Sequence, residues 1–204
     1  VSCAGSTPDR QRTLVSPALR GILLSASMKD FFLRNGTIID ADGERNADLH
    51  WNDGVVRFSG ETSRHSDALN LNGKMVFPGF IDPHVHFRTP GYEYKGNIES
   101  ESISAMWGGV TTACDMPNTN PPTVTISAFS DKVRRAVEQS CIDMRFYFGM
   151  TKPEHLEQFR QFMEARDSAT QELRRWMCGV KLYLEHSTGD QKIEEGMVGE
   201  VFQA

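Results

Sequence analysis

The sequence predicts an α/β protein in which parallel strands alternate with helices, preceded by a small all-β unit. Apolar runs with the spacing of strands recur at 110–116, 142–148 and 178–184. Between them lie helical spacings, seen after Thr125 at Ile126, Phe129, Val133 and Val137 and again at Leu156, Phe159 and Met163. Strand–helix–strand alternation of this length is typical of βαβ units and of a parallel sheet.

The all-β unit is predicted over residues 29–75. The clusters Asn35-Gly36 and Asn52-Asp53-Gly54 each lie between short apolar runs. Asn and Gly accept the positive φ that tight hairpin turns require, so each cluster predicts a hairpin. The first would join strands at 31–34 and 37–39.

Residues 76–204 are predicted to hold the alternating α/β part. An apolar strand over 75–81 leads into this segment, which continues with a helix over 100–107 that ends at Gly108-Gly109. A capping box formed by Thr151 and Glu154 would start a later helix. A closed (β/α)₈ barrel needs about 250 residues. The segment could therefore form half of such a barrel or a small doubly wound domain, and spacing alone leaves both open.

Composition excludes several classes of protein. The formal charge is −5, with 39% hydrophobic and 24% charged residues, which is an ordinary globular balance and not that of a disordered chain. There is no basic footprint for nucleic acid and no apolar run long enough for a membrane span. The four cysteines are far apart without a CxxC pair, which favours reduced thiols in a cytoplasmic protein.

Residues 1–28 are interpreted as a disordered leader or as sequence upstream of the true start. They mix Ser, Thr, Pro and Arg around one short apolar patch. That patch is shorter than the roughly 7–15 apolar residues of a signal-peptide core. Regular patterning begins just after Met28, which is a plausible start.

Two histidines carry the strongest chemical signal. His84 and His86 lie two positions apart at the end of an apolar strand. Side chains at i and i+2 of a strand point the same way, so two imidazoles there can bind one metal ion. Barrel enzymes place their active sites at this end of the strands. We therefore favour a metal site over two ordinary loop histidines. Asp82 would orient one of these histidines.

Three further side chains are candidates for the same site. If the chain stays extended, Arg88 faces the same cavity, where its planar fork of donors suits a substrate carboxylate; a surface arginine is equally compatible with the spacing. Asn118, in a Pro- and Asn-rich turn, could hydrogen-bond a polar substrate or simply serve the turn. Lys181 lies in an apolar strand, where a lysine is costly unless paired or neutralised. It could reach solvent, act as a neutral amine, or be carboxylated to give an anionic metal ligand.

These motifs together resemble the amidohydrolase superfamily and, within it, the dihydroorotases. The resemblance rests on the run from Gly79 to Arg88, on Pro90-Gly91, on the segment 108–112 and on Asp115-Met116-Pro117-Asn118-Thr119. It extends from about Lys29 onward, with the motifs in order. Arg88 directly after His-Val-His-Phe, combined with Pro-Asn-Thr, favours dihydroorotase, because allantoinases carry Asn at that position and dihydropyrimidinases lack the arginine.

The resemblance implies the first half of a (β/α)₈ barrel of the metal-dependent hydrolase type, preceded by part of a small β-sandwich. It implies two zinc ions, with His84 and His86 as ligands of one and carboxylated Lys181 bridging both. Arg88 and Asn118 would bind the carboxylate of dihydroorotate, which is interconverted reversibly with N-carbamoyl-L-aspartate in pyrimidine biosynthesis. The remaining ligands and a proton-shuttling Asp are expected beyond residue 204, so the 204-residue chain alone is expected to be inactive.

Two alternatives stay open at this stage. The chain could belong to an allantoinase or to a dihydropyrimidinase or hydantoinase. It could also be a non-catalytic barrel homologue that scaffolds aspartate transcarbamoylase. The expected partners are a small-molecule substrate, a second copy of the chain in a homodimer, and aspartate transcarbamoylase. Neither nucleic acid nor a membrane is expected.

Overall fold

The computed structural model describes residues 30–52, 55–59, 67–188, 191–194 and 196–203. The leader predicted over 1–28 lies outside these residues, as does the tip of the second predicted turn at Asp53-Gly54. The chain divides into two compact units, with the division between Pro78 and Gly79. No helix within the described ranges is long and apolar enough to cross a membrane.

The first unit is a β-sheet. Its strands are β1 (Asp30–Asp40), β2 (Gly43–Asn52), β3 (Val55–Ser59), β4 (Leu69–Asn70) and β5 (Met75–Val76). The order is β3-β2-β1-β4, and β5 also pairs with β1. β1, β2 and β3 run antiparallel, whereas β4 and β5 lie parallel to β1. Ile38 and Leu49 form the buried part of this sheet.

The hairpin predicted at Asn35-Gly36 is wrong. β1 runs straight through this position, and its register with β2 shifts between Leu33 and Gly36. Asn35 has a φ of 56°, and its amide donates to the Asp48 carboxylate on β2 at 3.0 Å. The positive φ that the sequence signals is used for a β-bulge and not for a turn, because a partner strand supplies the hydrogen bond. The second hairpin, β2–β3, is confirmed.

The second unit alternates strands and helices. Its strands are β6 (Phe80–Val85), β7 (Val110–Asp115), β8 (Asp143–Gly149) and β9 (Met177–Lys181). Its helices are α1 (Ile98–Trp107), α2 (Ile126–Gln139), α3 (Pro153–Glu164), α4 (Ser168–Arg174) and α5 (Met197–Val201), with a 3₁₀ turn at Glu93–Lys95. The strands are all parallel, in the order β6-β7-β8-β9.

This strand order decides the fold left open by the sequence. A doubly wound sheet reverses its strand order at a switch point, whereas a barrel adds each strand beside the last. Four strands in sequence order, joined by helices, are the first half of a (β/α)₈ barrel. The prediction of a half barrel preceded by a β-rich unit is confirmed.

An aromatic core joins the helices to the half-barrel sheet. Phe129 of α2 lies 5.2 Å from Phe162 of α3 and 6.1 Å from Phe146 of β8, measured between ring centroids. Met144, Phe146 and Phe148 alternate along β8 and are all buried in this core. Because strand side chains alternate, the other residues of β8 face the opposite side of the sheet, towards the interior of the barrel.

Two local predictions are wrong for reasons of packing and capping. The apolar run 75–81 is not one strand: its first two residues are β5 of the first unit, and β6 begins at Phe80. Thr151 forms no capping box. Pro153 starts α3, whose N-cap Lys152 makes no side-chain hydrogen bond, and the Thr151 hydroxyl lies 2.9 Å from His155 Nδ1 instead. On the buried face of α3 the structure places Phe162 and leaves Met163 largely exposed.

Candidate active site

The two histidines lie side by side at the carboxyl end of β6. His84 is the second-last residue of β6, and His86 comes directly after the end of the strand. Their ring centroids are 5.3 Å apart and the rings are tilted by 57°. The Asp82 carboxylate accepts a hydrogen bond from the backbone amide of His84 at 3.0 Å, so it fixes the backbone here and does not bind an imidazole.

Asn118 orients His86. The Asn118 Oδ1 atom accepts a hydrogen bond from His86 Nδ1 at 2.8 Å. In the neutral tautomer this contact leaves the lone pair of Nε2 as the ring's available donor to a metal. Burial lowers the pKa of His86 below its ordinary value. The positive charge of Arg88 acts in the same direction, while the Asn118 hydrogen bond and the negative charge of Asp115 oppose it. The lowered pKa favours the uncharged form of His86, which is the form that binds a metal.

Asn118 is itself fixed by a second contact. Its side chain is only 5% exposed, and its Nδ2 donates to Ser187 Oγ at 3.3 Å. Ser187 follows β9 by a few residues, so this bond links the loops after β7 and β9. Sequence reasoning missed Ser187, because a serine in a polar loop carries no distinguishing signal.

The loop after His86 turns sharply. Arg88 has a φ of 69°, in the left-handed region, so the extended alternation expected from 84 through 88 is broken. The Arg88 carbonyl accepts from the Tyr92 amide at 3.0 Å, and the Pro90 carbonyl accepts from the Asn120 amide at 2.9 Å. A Cβ at Gly91 would lie 2.2 Å from the Asn120 carbonyl oxygen. The Arg88 loop is thus packed closely against the Asn118 loop.

Lys181 ends β9, two strands away from β7. Its Nζ lies 5.1 Å from the centre of the Tyr183 ring. Burial is the main cause that raises the pKa of Tyr183; the negative charge of Asp115 adds to it, and Arg88 opposes it. Tyr183 is therefore within electrostatic reach of the Arg88 loop while it contacts Lys181. A lysine ammonium has no lone pair, so Lys181 can bind a metal only as the neutral amine or as a carbamate.

Tyr147 hydrogen-bonds the backbone just before His84. This residue of β8 donates its hydroxyl to the Pro83 carbonyl at 3.1 Å, reaching across β7 to the segment that ends at His84. Burial raises the pKa of Tyr147, and the neighbouring Cys178 and Cys114 add to the effect. The phenol thus remains a hydrogen-bond donor. The alternation along β8 would have placed Tyr147 on the interior face, but not its partner.

The largest omission of the sequence reasoning is a buried ion pair behind the histidines. Lys132 Nζ lies 2.7 Å from the Asp115 carboxylate, and the two side chains are 0% and 1% exposed. A signal existed: Lys132 lies one turn after Phe129, on the apolar face of the predicted helix, and Asp115 ends an apolar strand. A charge in each of two buried faces predicts a pair, once the two faces are known to meet.

The described residues contain no cluster of three or more His, Cys, Asp or Glu side chains able to hold a metal ion. They do supply two adjacent imidazoles, one of which has its Nε2 left available by a hydrogen bond at Nδ1. This donor set fits part of a metal site. Among the other histidines, His50 of the first unit contacts Asp30 and stacks on Phe32.

Three known proteins illustrate what this chain is similar to. A dihydroorotase of Methanothermobacter thermautotrophicus is 37% identical over 111 residues, covering 54% of this chain and 26% of the relative. An allantoinase of Deinococcus radiodurans is 32% identical over 171 residues, covering 79% of this chain and 34% of the relative. The solved L-hydantoinase of Arthrobacter aurescens superposes with a TM-score of 0.73 at 31% identity, covering 86% of this chain and 38% of that one.

The chain therefore spans about a quarter to a third of the curated relatives it matches. The family model described as the amidohydrolase family matches residues 75–186, which contain β6 to β9 and all the candidate site residues up to Lys181. On this match and on the half-barrel fold, the chain belongs to the amidohydrolase family.

Proposed function

We propose that the protein is a zinc-dependent dihydroorotase that interconverts L-dihydroorotate and N-carbamoyl-L-aspartate. The observation that carries the proposal is Arg88, two residues after His86, on a loop packed against the loop of Asn118. A metal-binding pair and a carboxylate-binding guanidinium then share one short segment. Dihydroorotase is also the activity named for several of the similar curated proteins.

His84 and His86 would hold one zinc ion, and a carbamate on Lys181 would supply an anionic oxygen ligand to the same two-zinc site. Bound zinc would polarise the scissile amide carbonyl and make a nearby water more acidic. The Asn118 bond to His86 Nδ1 keeps that imidazole in one tautomer and one orientation. Burial of His86 favours its neutral form, so protons compete less with the metal.

Arg88 and Asn118 would position the substrate. The guanidinium can bind the ring carboxylate with two parallel hydrogen bonds, and the second amide hydrogen of Asn118 can join them. The left-handed backbone of Arg88 turns the chain just after His86, so the side chains of His86 and Arg88 leave the same bend. Fixing the ring by its carboxylate makes attack on its amide effectively intramolecular.

A second candidate is a hydantoinase or allantoinase activity. The similarity to the Arthrobacter aurescens L-hydantoinase and to the Deinococcus radiodurans allantoinase supports it. These activities act on cyclic amides of related shape, and a ring without a carboxylate would not need Arg88. The role of Arg88 therefore separates the two candidates.

The test uses the complete gene product with zinc supplied, assayed on dihydroorotate, a 5-substituted hydantoin and allantoin. We expect turnover of dihydroorotate, and its loss by about two orders of magnitude or more in Arg88→Met, because the charge-assisted hydrogen bonds proposed to hold the substrate carboxylate are removed. Arg134→Met, on the exposed face of α2, is the matched control. Unchanged dihydroorotate turnover in Arg88→Met, or turnover of hydantoin or allantoin alone, would favour the second candidate. Near-zero zinc in protein purified without chelators would instead favour a non-catalytic scaffold.

A further inference from the structure

We propose that the Asp115–Lys132 pair is a positioning device that holds the loop of His86 and Arg88 in place. This inference deepens the proposed function and rests on it for the role of the two loop residues. The pair is not proposed to bind the substrate or the metal. It acts on the backbone between the two functional side chains.

Asp115 reaches that backbone directly. Its Oδ1 accepts a hydrogen bond from the amide of Phe87 at 2.8 Å. Phe87 lies between His86 and Arg88, and its own side chain is buried. The left-handed conformation of Arg88 is uncommon for a residue with a long side chain and persists only where the surroundings fix it. A charge-assisted bond to the preceding amide is such a restraint.

Lys132 ties the neighbouring loop to the same point. Its Nζ donates to the Met116 carbonyl at 2.7 Å as well as contacting Asp115. Met116 begins the segment that leads to Asn118, and its amide donates to the Val85 carbonyl at 3.0 Å. The exits of β6 and β7 are therefore joined to each other and to α2 through one ammonium group and one carboxylate.

The pair is an expensive way to achieve stability alone. Removing two charges from water costs more than an apolar pair of similar size would, so a buried ion pair is weak evidence for a purely stabilising role. The fully buried Lys132 replaces what could be an apolar residue on the face that carries Phe129 and Val133. Positioning of the two loops accounts for its presence, since the carboxylate accepts from the Phe87 amide and the ammonium donates to the Met116 carbonyl, which two apolar side chains could not do.

Two double variants separate positioning from stability. Asp115→Asn/Lys132→Met is neutral and keeps an oxygen that can accept from the Phe87 amide. Asp115→Leu/Lys132→Met is also neutral, but its side chain at 115 is larger and has no acceptor. If leucine prevents folding, Asp115→Ala/Lys132→Met makes the same comparison without added bulk. The measurement is amide hydrogen exchange at Phe87 relative to the amides of β8, which report opening of the whole sheet.

In the wild type, the Phe87 amide is expected to be as well protected as the amides of β8. The asparagine variant should retain that protection, whereas the leucine variant should exchange about tenfold faster at Phe87 for the loss of one hydrogen bond. An unprotected Phe87 amide in the wild type overturns the inference. So does equal exchange at Phe87, relative to β8, in the two double variants.

Titration of the complete gene product and its variants with zinc alone provides the second readout. The leucine variant should bind zinc at least about tenfold more weakly than the asparagine variant, as expected when the groups that orient a metal ligand are lost. Equal affinities in the two variants contradict the inference. Absence of zinc binding in the wild type contradicts the proposed function and leaves the exchange result to decide the positioning role by itself.

Discussion

The two faces of helix α2 (Ile126–Gln139) carry the same kinds of charge in opposite settings. On the inner face, Lys132 is 0% exposed and bound to the Asp115 carboxylate. On the outer face, Arg134 and Arg135 hold the Asp131 carboxylate at 2.6 and 2.7 Å, and the Arg134 side chain is 55% exposed. The distances are alike, but only the inner pair is shielded from water. Distance alone therefore does not tell how strongly each ion pair affects stability, whereas burial does.

The largest effect is expected from breaking the inner pair on one side. Lys132→Met leaves the Asp115 charge buried without its counter-ion, which should cost about 3–5 kcal/mol in the free energy of unfolding. Urea unfolding of the 204-residue chain measures it. A loss below about 1 kcal/mol, the range of exposed pairs, would contradict the contrast between the two faces.

A smaller net effect is expected when both members of the inner pair change together. Adding Asp115→Asn to Lys132→Met removes the stranded charge and keeps the acceptor for the Phe87 amide. The double variant should recover about 1–3 kcal/mol of the loss, as residues that contact each other are not additive. The same unfolding measurement, made as a double-mutant cycle, checks this. Strictly additive losses would mean that the two groups act separately.

A half-buried group should affect stability by an amount between those of the two faces of α2. Burial lowers the pKa of His155, whose Nδ1 lies 2.9 Å from the Thr151 hydroxyl. The unfolded chain then binds the proton more readily than the folded one. Stability should be fully present above the ordinary histidine pKa near 6.5 and decline as the pH falls through the folded value.

The free energy of unfolding, followed from pH 7.5 to 5, measures this decline. His155→Gln, which does not titrate, should flatten it. A His155→Gln chain whose stability falls with pH as steeply as that of the wild type would assign the effect to other groups.

The smallest effect is expected on the outer face. Hydrogen bonds from Arg135 and then Arg134 hold the pKa of Asp131 below its usual range. Its contribution is present above the ordinary carboxyl pKa near 3.9 and is lost as the pH falls through the folded value. Asp131→Asn should change stability by less than about 1 kcal/mol at pH 7, and less still in high salt. A salt-independent loss as large as that of Lys132→Met would remove the distinction between the faces.

Local sequence patterns predicted the regular elements of the half barrel well. The helix predicted by apolar spacing after Thr125 does begin there, and the structure shows that the Thr125 hydroxyl caps it by accepting from the Ala128 amide at 3.1 Å. α1 ends at Gly108, as the Gly-Gly pair predicts. Such capping signals act within a few residues, so they can be identified from the order of side chains along the chain. At Asn35 the same kind of signal misled, because a bulge and a turn both use a positive φ and the partner strand decides between them.

The sequence alone determined that strands and helices alternate after residue 79, that two histidines end one strand, and that a guanidinium follows them. These features depend on neighbours along the chain. Only the tertiary structure decided that the four strands pair in sequence order, that Asn118 meets His86, and that Lys132 finds Asp115. Those contacts join residues on different elements, and their energies exist only after the chain brings the elements together and removes water from between them.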